Sequence, residues 1–320
     1  MLILYLLQTS VPLALIAWLT LFPPRSVIGF WTQTLAIGLG LYTIGLTGIW
    51  TFPPWWVLYG FAALLLASVV RGVLRTHDQS LWPRRASGWL SLIGFFVLTL
   101  YAANDTRIAF DASAIPKGRS LNLASPLGPG TYLVANGGSA VSINAHDDAL
   151  DQTIAAHRPY HGTGYGVDLV AIDHWGLRAN GLMPSDPRRY RMFGRAVVAP
   201  CAGDVIAAVD GLPDMTVPEV DEAHLAGNHV ILRCNGLDVL LGHFHKGSVQ
   251  VITGQRLNTG DAIATVGNSG SSSEPHLHIH AQLPGTVAAP FSGAPIPIRI
   301  KGRYLVRNNR IEITAKRNAP

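Results

Sequence analysis

The chain reads as a bundle of four membrane-crossing helices followed by an all-β, mainly antiparallel domain. Of its 320 residues 48% are hydrophobic and only 13% charged, with a mean hydropathy of +0.27, too apolar for an ordinary soluble enzyme. The apolar residues crowd into the first third, where Asp78 is the only acidic residue before Asp105 and the basic ones are Arg25, Arg71, Arg75, Arg84 and Arg85. From about residue 112 the pattern changes to short β-type runs punctuated by Gly, Pro and Asn, without helical periodicity.

Four apolar runs, about 2–22, 27–50, 55–70 and 88–103, are the candidate spans. Crossing hydrocarbon takes about 20 residues of helix, so the first two are comfortable and the last two short. Pro23-Pro24 and Pro53-Pro54 separate runs where helices must stop. The first run lacks the basic start and small-residue cleavage site of a signal peptide, and three more spans follow it. Arg25 lies between spans one and two, and Arg71, Arg75, Arg84 and Arg85 between three and four, whereas the 51–54 loop is uncharged. The positive-inside rule then puts both basic loops in the cytoplasm and both termini outside.

This divides the chain into a membrane anchor, 1–104, and an extracytoplasmic domain, 105–320, with its core at about 130–283 and a basic extension at 284–320. The expected location is the cytoplasmic (inner) membrane, multi-pass, with the domain facing the periplasm or outside. The spans carry no intramembrane acid or histidine that would suggest transport, so they read as an anchor whose faces are open to a regulatory membrane partner. The net charge of +5 comes partly from the loop arginines and partly from Lys301, Arg303, Arg307, Arg310, Lys316 and Arg317. That C-terminal cluster is either a solvated tail or a patch attracted to an anionic wall or headgroup surface. No nucleic-acid partner is expected. Cys201 and Cys234 fall in segments that read as neighbouring strands, and a disulfide or two buried thiols both fit; no Cys cluster supports a structural zinc site.

Within the domain, runs at 130–134, 166–170, 196–199, 204–209, 229–232, 238–241 and 261–266 read as strands, and 171–195 and 212–226 as long inserts. The most informative run is His276-Leu277-His278, which follows the turn-rich 267–275. Side chains alternate along a strand, so the two imidazoles share a face roughly 7 Å apart. Such a pair can supply one metal ligand and one acid/base group. His280 continues the same face and is either a support for that ligand or a packing residue.

Read together, Gly242-His243-Phe244, Val266-Gly267-Asn268-Ser269-Gly270 and Pro275-His276-Leu277-His278 resemble the C-terminal half of a lysostaphin/LytM-type zinc peptidase. Upstream, Val197-Val198-Ala199-Pro200, Gly203-Asp204-Val205 and Gly227-Asn228-His229-Val230-Ile231 are similar to its strand pairs, and Tyr165-Gly166-Val167-Asp168 to its metal-binding aspartate. The resemblance covers about 130–283 and implies a compact β fold and a metalloendopeptidase that cuts peptidoglycan peptides through a zinc-bound water. It further implies Asp168 and His278 as Zn2+ ligands, with His243 and His276 as the catalytic pair flanking them. Chemistry asks for the same arrangement, since a hydrolytic zinc keeps three protein ligands and one open position.

The chain departs from the family pattern at the third ligand. The histidine expected four residues before the aspartate is Gly164 here. His161, in a Gly-rich loop, is favoured by proximity; His146, in Ile143-Asn144-Ala145-His146, by similarity to a variant branch of the family. With neither as ligand the domain would be a non-hydrolytic wall-binding or hydrolase-activating module. His157, His174, His224 and His229 read as non-catalytic residues of loops or strand starts, and His245 as an exposed residue at the end of its strand.

Overall fold

A computed structural model describes residues 2–76 and 78–314, and the chain falls into two compact units: Met1–Ile49 with Pro53–Asp111, and Ala112–Pro320 with Trp50–Phe52. The first unit holds four helices, α1 (Leu2–Leu21), α2 (Val27–Thr47), α3 (Val57–Thr76) and α4 (Ala86–Asp111). All four are long and apolar enough to cross a membrane. This is a multi-pass membrane protein.

Local chemistry sets the helix ends. Ser26 caps α2 by accepting the Gly29 amide at 3.2 Å, and the Gln8 carboxamide closes the far end by bonding the backbone N and O of Ile49. Hydroxyls join helices where there is no water to compete: Thr20 meets Ser68 at 2.7 Å, and Thr43 meets Thr106 at 2.7 Å and the Ala102 carbonyl. Outward side chains such as Leu4, Leu35, Leu66, Leu90, Phe96 and Leu100 are exposed, the apolar surface that lipid would cover. α3 and α4 outrun their apolar stretches because polar residues continue the helix; α4 proceeds past Ala103 through Asn104 to Asp111, where Arg107 and Asp111 pair one turn apart. A cavity of about 660 Å3 lies among the loop arginines of this unit, Arg25, Arg84 and Arg85.

The second unit is built on strands β1 (Leu121–Leu123), β2 (Gly130–Asn136), β3 (Val167–Ile172), β4 (Ala196–Val198), β5 (Gly203–Val209), β6 (Asn228–Cys234), β7 (Leu237–Phe244), β8 (Arg256–Leu257), β9 (Ala262–Thr265), β10 (Leu277–Gln282), β11 (Pro295–Ile296), β12 (Ile298–Ile300), β13 (Arg303–Tyr304) and β14 (Arg310–Ile313). The main sheet runs β14-β2-β3-β10-β7-β6-β5-β8, with β11 added to β10. Its pairings are antiparallel; the small β1-β12-β13 sheet contains one parallel pair, β1 with β12.

β3, β7 and β10 are buried at every position. Alternation explains how a sheet with polar residues manages this. Val167, Leu169, Leu277, Ile279, Val239 and Leu241 point into the main hydrophobic core, each contributing about 1.5–3 kcal/mol of burial. Asp168, His278, His280 and Gln282 occupy the alternate positions of β3 and β10, facing the other way. The 3-10 turns Ala145–Leu150 and Ala155–Thr163 lie in the long β2–β3 connection, and the second packs against β10.

Cys201 and Cys234 form a disulfide across 33 residues, which closes the β5–β6 region. The basic extension is not a free tail within the described residues: β12 pairs with β1 in the small sheet and β14 with β2 at the edge of the main sheet, so 295–313 is folded into both sheets. Lys316 and Arg317 lie outside the described residues.

Candidate metal centre

Strand register brings the key groups together. On adjacent antiparallel strands His278 is the Cα partner of Asp168, and on its other side of Gly242. His278 Nδ1 lies 2.8 Å from Asp168 Oδ1, and His146 Nε2 lies 2.9 Å from Asp168 Oδ2. Among the described residues, one ligand atom each from His146, Asp168 and His278 lie within 4.8 Å of one another. His161 is not in this group.

His146 reaches the cluster from a turn built by Asn144, whose Oδ1 accepts the His146 amide and whose Nδ2 donates to the Gly138 and Gly166 carbonyls. Asn144 is fully buried, so those bonds fix the turn's depth. Gly166 is required where the chain passes the site. A Cβ there would come within 2.6 Å of His278 Cε1 and 3.1 Å of His146 Cδ2.

Two further imidazoles flank the cluster. His276 Nε2 is 3.6 Å from Asp168 Oδ1, and the His243 and His276 rings are 4.6 Å apart. The Nδ1 of His243 bonds the Ser269 carbonyl at 2.9 Å, and that of His276 the Glu274 carbonyl at 2.9 Å. A carbonyl only accepts, so each Nδ1 carries the proton and each neutral ring keeps a bare Nε2. His243 has φ +64°, a left-handed backbone rarely adopted by a non-glycine residue and one often kept at functional sites.

Asp168 is held a second time, by two residues that sequence reasoning missed. Asn136 Nδ2 donates to Asp168 Oδ2 at 2.8 Å, and Arg307 Nη2 donates to Asn136 Oδ1 at 2.6 Å. Arg307 also bonds the Ala135 and Ser142 carbonyls, and burial brings its pKa down to about 10. A buried ion pair, Arg178 with Glu274 at 2.7 Å, ties the 171–195 insert to the residues just before His276.

Burial alone would push the Asp168 carboxyl up, but the neighbouring imidazoles His146 and His276 and the bonds from His146 and His278 hold it well below the usual range. Burial, helped by His146, brings His278 down to about 4, and burial, helped by His276 and His278, places His243 well below its ordinary value. His146 goes the other way, because the Asp168 carboxylate outweighs the cost of burial. An ionised Asp168 beside a neutral His278 is the protonation pattern that metal ligands require. A cavity of about 170 Å3, lined by His146, His243, His278, His280, Leu225 and Phe291 among others, opens on these groups.

Residues 191–290 match the model of peptidase family M23. The chain carries an M23 peptidase domain. The matched stretch contains His243, His276 and His278, while Asp168 and His146 precede it and reach these histidines through the β3–β10 register and the Asn144 turn. A similar curated protein is endolysin 2638A of Staphylococcus phage 2638A, 37% identical over 82 residues, 25% of this chain. The chain spans only 16% of that relative's length. Among solved structures, the catalytic domain of the antimicrobial peptidase lysostaphin from Staphylococcus simulans is 21% identical, covering 39% of this chain and 71% of that one at a TM-score of 0.26. A zinc-containing peptidase from Vibrio cholerae is 21% identical over 36% of this chain and 26% of its own, at a TM-score of 0.24.

Other histidines of the M23 domain sit outside the cluster. His245 follows β7, partly exposed, and pairs with Asp214 at 2.5 Å; His224 pairs with Asp221 at 2.7 Å on the exposed 212–226 insert. His280 is buried directly behind His278.

Proposed function

We propose that the M23 domain is a zinc metalloendopeptidase that hydrolyses peptide bonds of peptidoglycan outside the cytoplasmic membrane. The observation that carries this reading is the convergence of His146, Asp168 and His278, flanked by two imidazoles whose Nε2 atoms are bare. The donor set fits zinc: two nitrogens and one carboxylate oxygen suit a borderline ion and leave one corner of a tetrahedron open. When bound, zinc lowers the pKa of a coordinated water to about 7 and polarises a scissile carbonyl.

The residues do the rest. His146, Asp168 and His278 are the ligands, with His146 preferred to His161 because it bonds Asp168 directly. His276 and His243 are the catalytic pair. With Nδ1–H pinned to a backbone carbonyl, each ring can take a proton at Nε2 from the nucleophile or return one to the leaving amine. A single carboxylate against a dication leaves the site net positive, which favours charge developing on the carbonyl oxygen. Burial of Asp168, His243 and His278 limits competition from bulk water.

The basic loops between spans and the Cys201–Cys234 bridge both favour an oxidising compartment beyond the cytoplasmic membrane for the M23 domain. The cell-wall peptides there are the expected substrate, and the outward faces of α1–α4 are the place for a regulatory membrane partner. A non-hydrolytic module is not favoured, because all five site positions carry suitable side chains. The test is release of cleaved peptide cross-links from purified peptidoglycan by the full chain in detergent. Release should stop on chelation and in His278→Ala, and activity that survives both would end the zinc reading.

A further inference from the structure

Three arginines of the helical unit, Arg25, Arg84 and Arg85, line a single cavity of about 660 Å3. It lies where α1 ends, α2 begins, α3 ends and α4 begins, so it caps one end of the four helices. Ser87 and Ser91 add hydroxyls to the lining, and Asp78 adds a carboxylate. Three guanidiniums against one carboxylate leave positive charge in excess. Among the described residues no carboxylate pairs with any of these arginines; the ion pair described in this unit, Arg107 with Asp111, is near the other end of α4.

The walls of the cavity are fixed by the chain itself. The Val27 and Ile28 amides donate to the Ser80 and Leu81 carbonyls at 3.1 and 3.2 Å, which staples the start of α2 to the loop between α3 and α4. Pro83 is buried and packs on Gly88, where a Cβ would come within 2.9 Å of the proline Cβ. Arg84 and Arg85 follow directly from this anchored proline. Trp82 stacks on Trp89, with centroids 5.7 Å and planes 13° apart, and both rings are exposed. Tryptophan collects at the boundary between hydrocarbon and headgroups. With the four helices crossing a bilayer, the cavity therefore lies at headgroup depth.

We propose that this cavity binds the phosphodiester headgroup of an anionic membrane lipid. Charge complementarity selects the occupant. A guanidinium fork matches two phosphate oxygens at once, and basic pockets between membrane helices at this depth hold anionic headgroups. The volume equals that of about twenty waters, room for a phosphate and the glycerol units on either side of it. A choline headgroup would bring a cation against the guanidiniums and is disfavoured. Lipid is preferred to a free phosphate because Leu21, Phe22 and Leu90, next to the lining in sequence, are exposed and give acyl chains an apolar surface to follow. The inference does not depend on the zinc reading.

The test titrates the full chain in uncharged detergent with phosphatidylglycerol, and native mass spectrometry reads the lipid retained per chain. Phosphatidylcholine with the same acyl chains and inorganic phosphate are the comparisons. The wild type should retain phosphatidylglycerol at lower concentration than phosphatidylcholine, and excess inorganic phosphate should fail to displace it. Arg84→Gln combined with Arg85→Gln should weaken retention about fivefold for each arginine removed. Arg71→Gln combined with Arg75→Gln removes the same charge from the same end of α3, outside the cavity, and should leave retention unchanged. Equal losses in the two double variants would reduce the effect to unspecific surface attraction and overturn the proposal. Equal retention of the two lipids by the wild type would overturn it with no variant needing to fold. Displacement by inorganic phosphate would overturn the lipid in favour of a free anion.

Discussion

His278 and Asp168 face each other as direct partners on neighbouring antiparallel strands, their side chains 2.8 Å apart and 110 positions apart in the chain. The sheet itself thus sets the spacing of two of the three proposed ligands, and no loop has to close for them to meet. A site on paired central strands is held more precisely than one on loops.

Removing either flanking imidazole should separate chemistry from metal binding. His243→Ala and His276→Ala are expected to keep their zinc while kcat falls by about 10²–10⁴, the usual contribution of a positioned acid or base. Metal content and peptide-release kinetics on the same preparations check this.

The metal-free chain should lose stability on acidification. His278 has its folded pKa lowered to about 4 from 6.5, so the unfolded chain takes up the proton first. The neutral ring then contributes full stability above about pH 6.5, and this is lost as pH falls from there towards 4, about 3 kcal/mol in all. Asp168 is also depressed, and its contribution is lost as pH falls below the ordinary carboxylate range. Unfolding midpoints of the chelated chain across pH 4–7 should show the fall, and His278→Ala should flatten its upper part.

The buried Arg178–Glu274 pair predicts a large structural effect. Arg178→Leu leaves Glu274 charged and buried without its partner, and a loss of about 3–5 kcal/mol is expected in denaturant titrations. Because the Glu274 carbonyl holds the Nδ1 of His276, surviving protein should also show a lower kcat.

Arg307 acts on Asp168 through Asn136. Arg307→Met should lower zinc affinity, about tenfold for loss of a group behind a ligand, though Arg307 lies outside the matched stretch. Chelator competition reads the change directly.

Much of this was legible in the sequence, for physical reasons that also mark where reading failed. Apolar runs without charge define helices that lipid can hold, so α1–α4 were plain, although polar turns hid the true length of α4. His243, Asp168, His276 and His278 stood out because each sits beside short motifs in a fixed order. The choice between His146 and His161 was not legible: it depends on how the 137–166 connection folds over the sheet through buried Asn144, which leaves no periodic trace. Asn136 and Arg307 were invisible for a similar reason, since they meet across 171 positions through the β2–β14 pairing. Strands of two to four residues, like those of 295–313, look the same in sequence as a basic tail.

Zinc content of the purified full chain tests the central claim most directly, measured for the wild type, His146→Ala and His161→Ala. The expected result is close to one zinc per chain in the wild type and in His161→Ala, with loss in His146→Ala. A wild type without zinc, or zinc kept in His146→Ala and lost in His161→Ala, would contradict the site described.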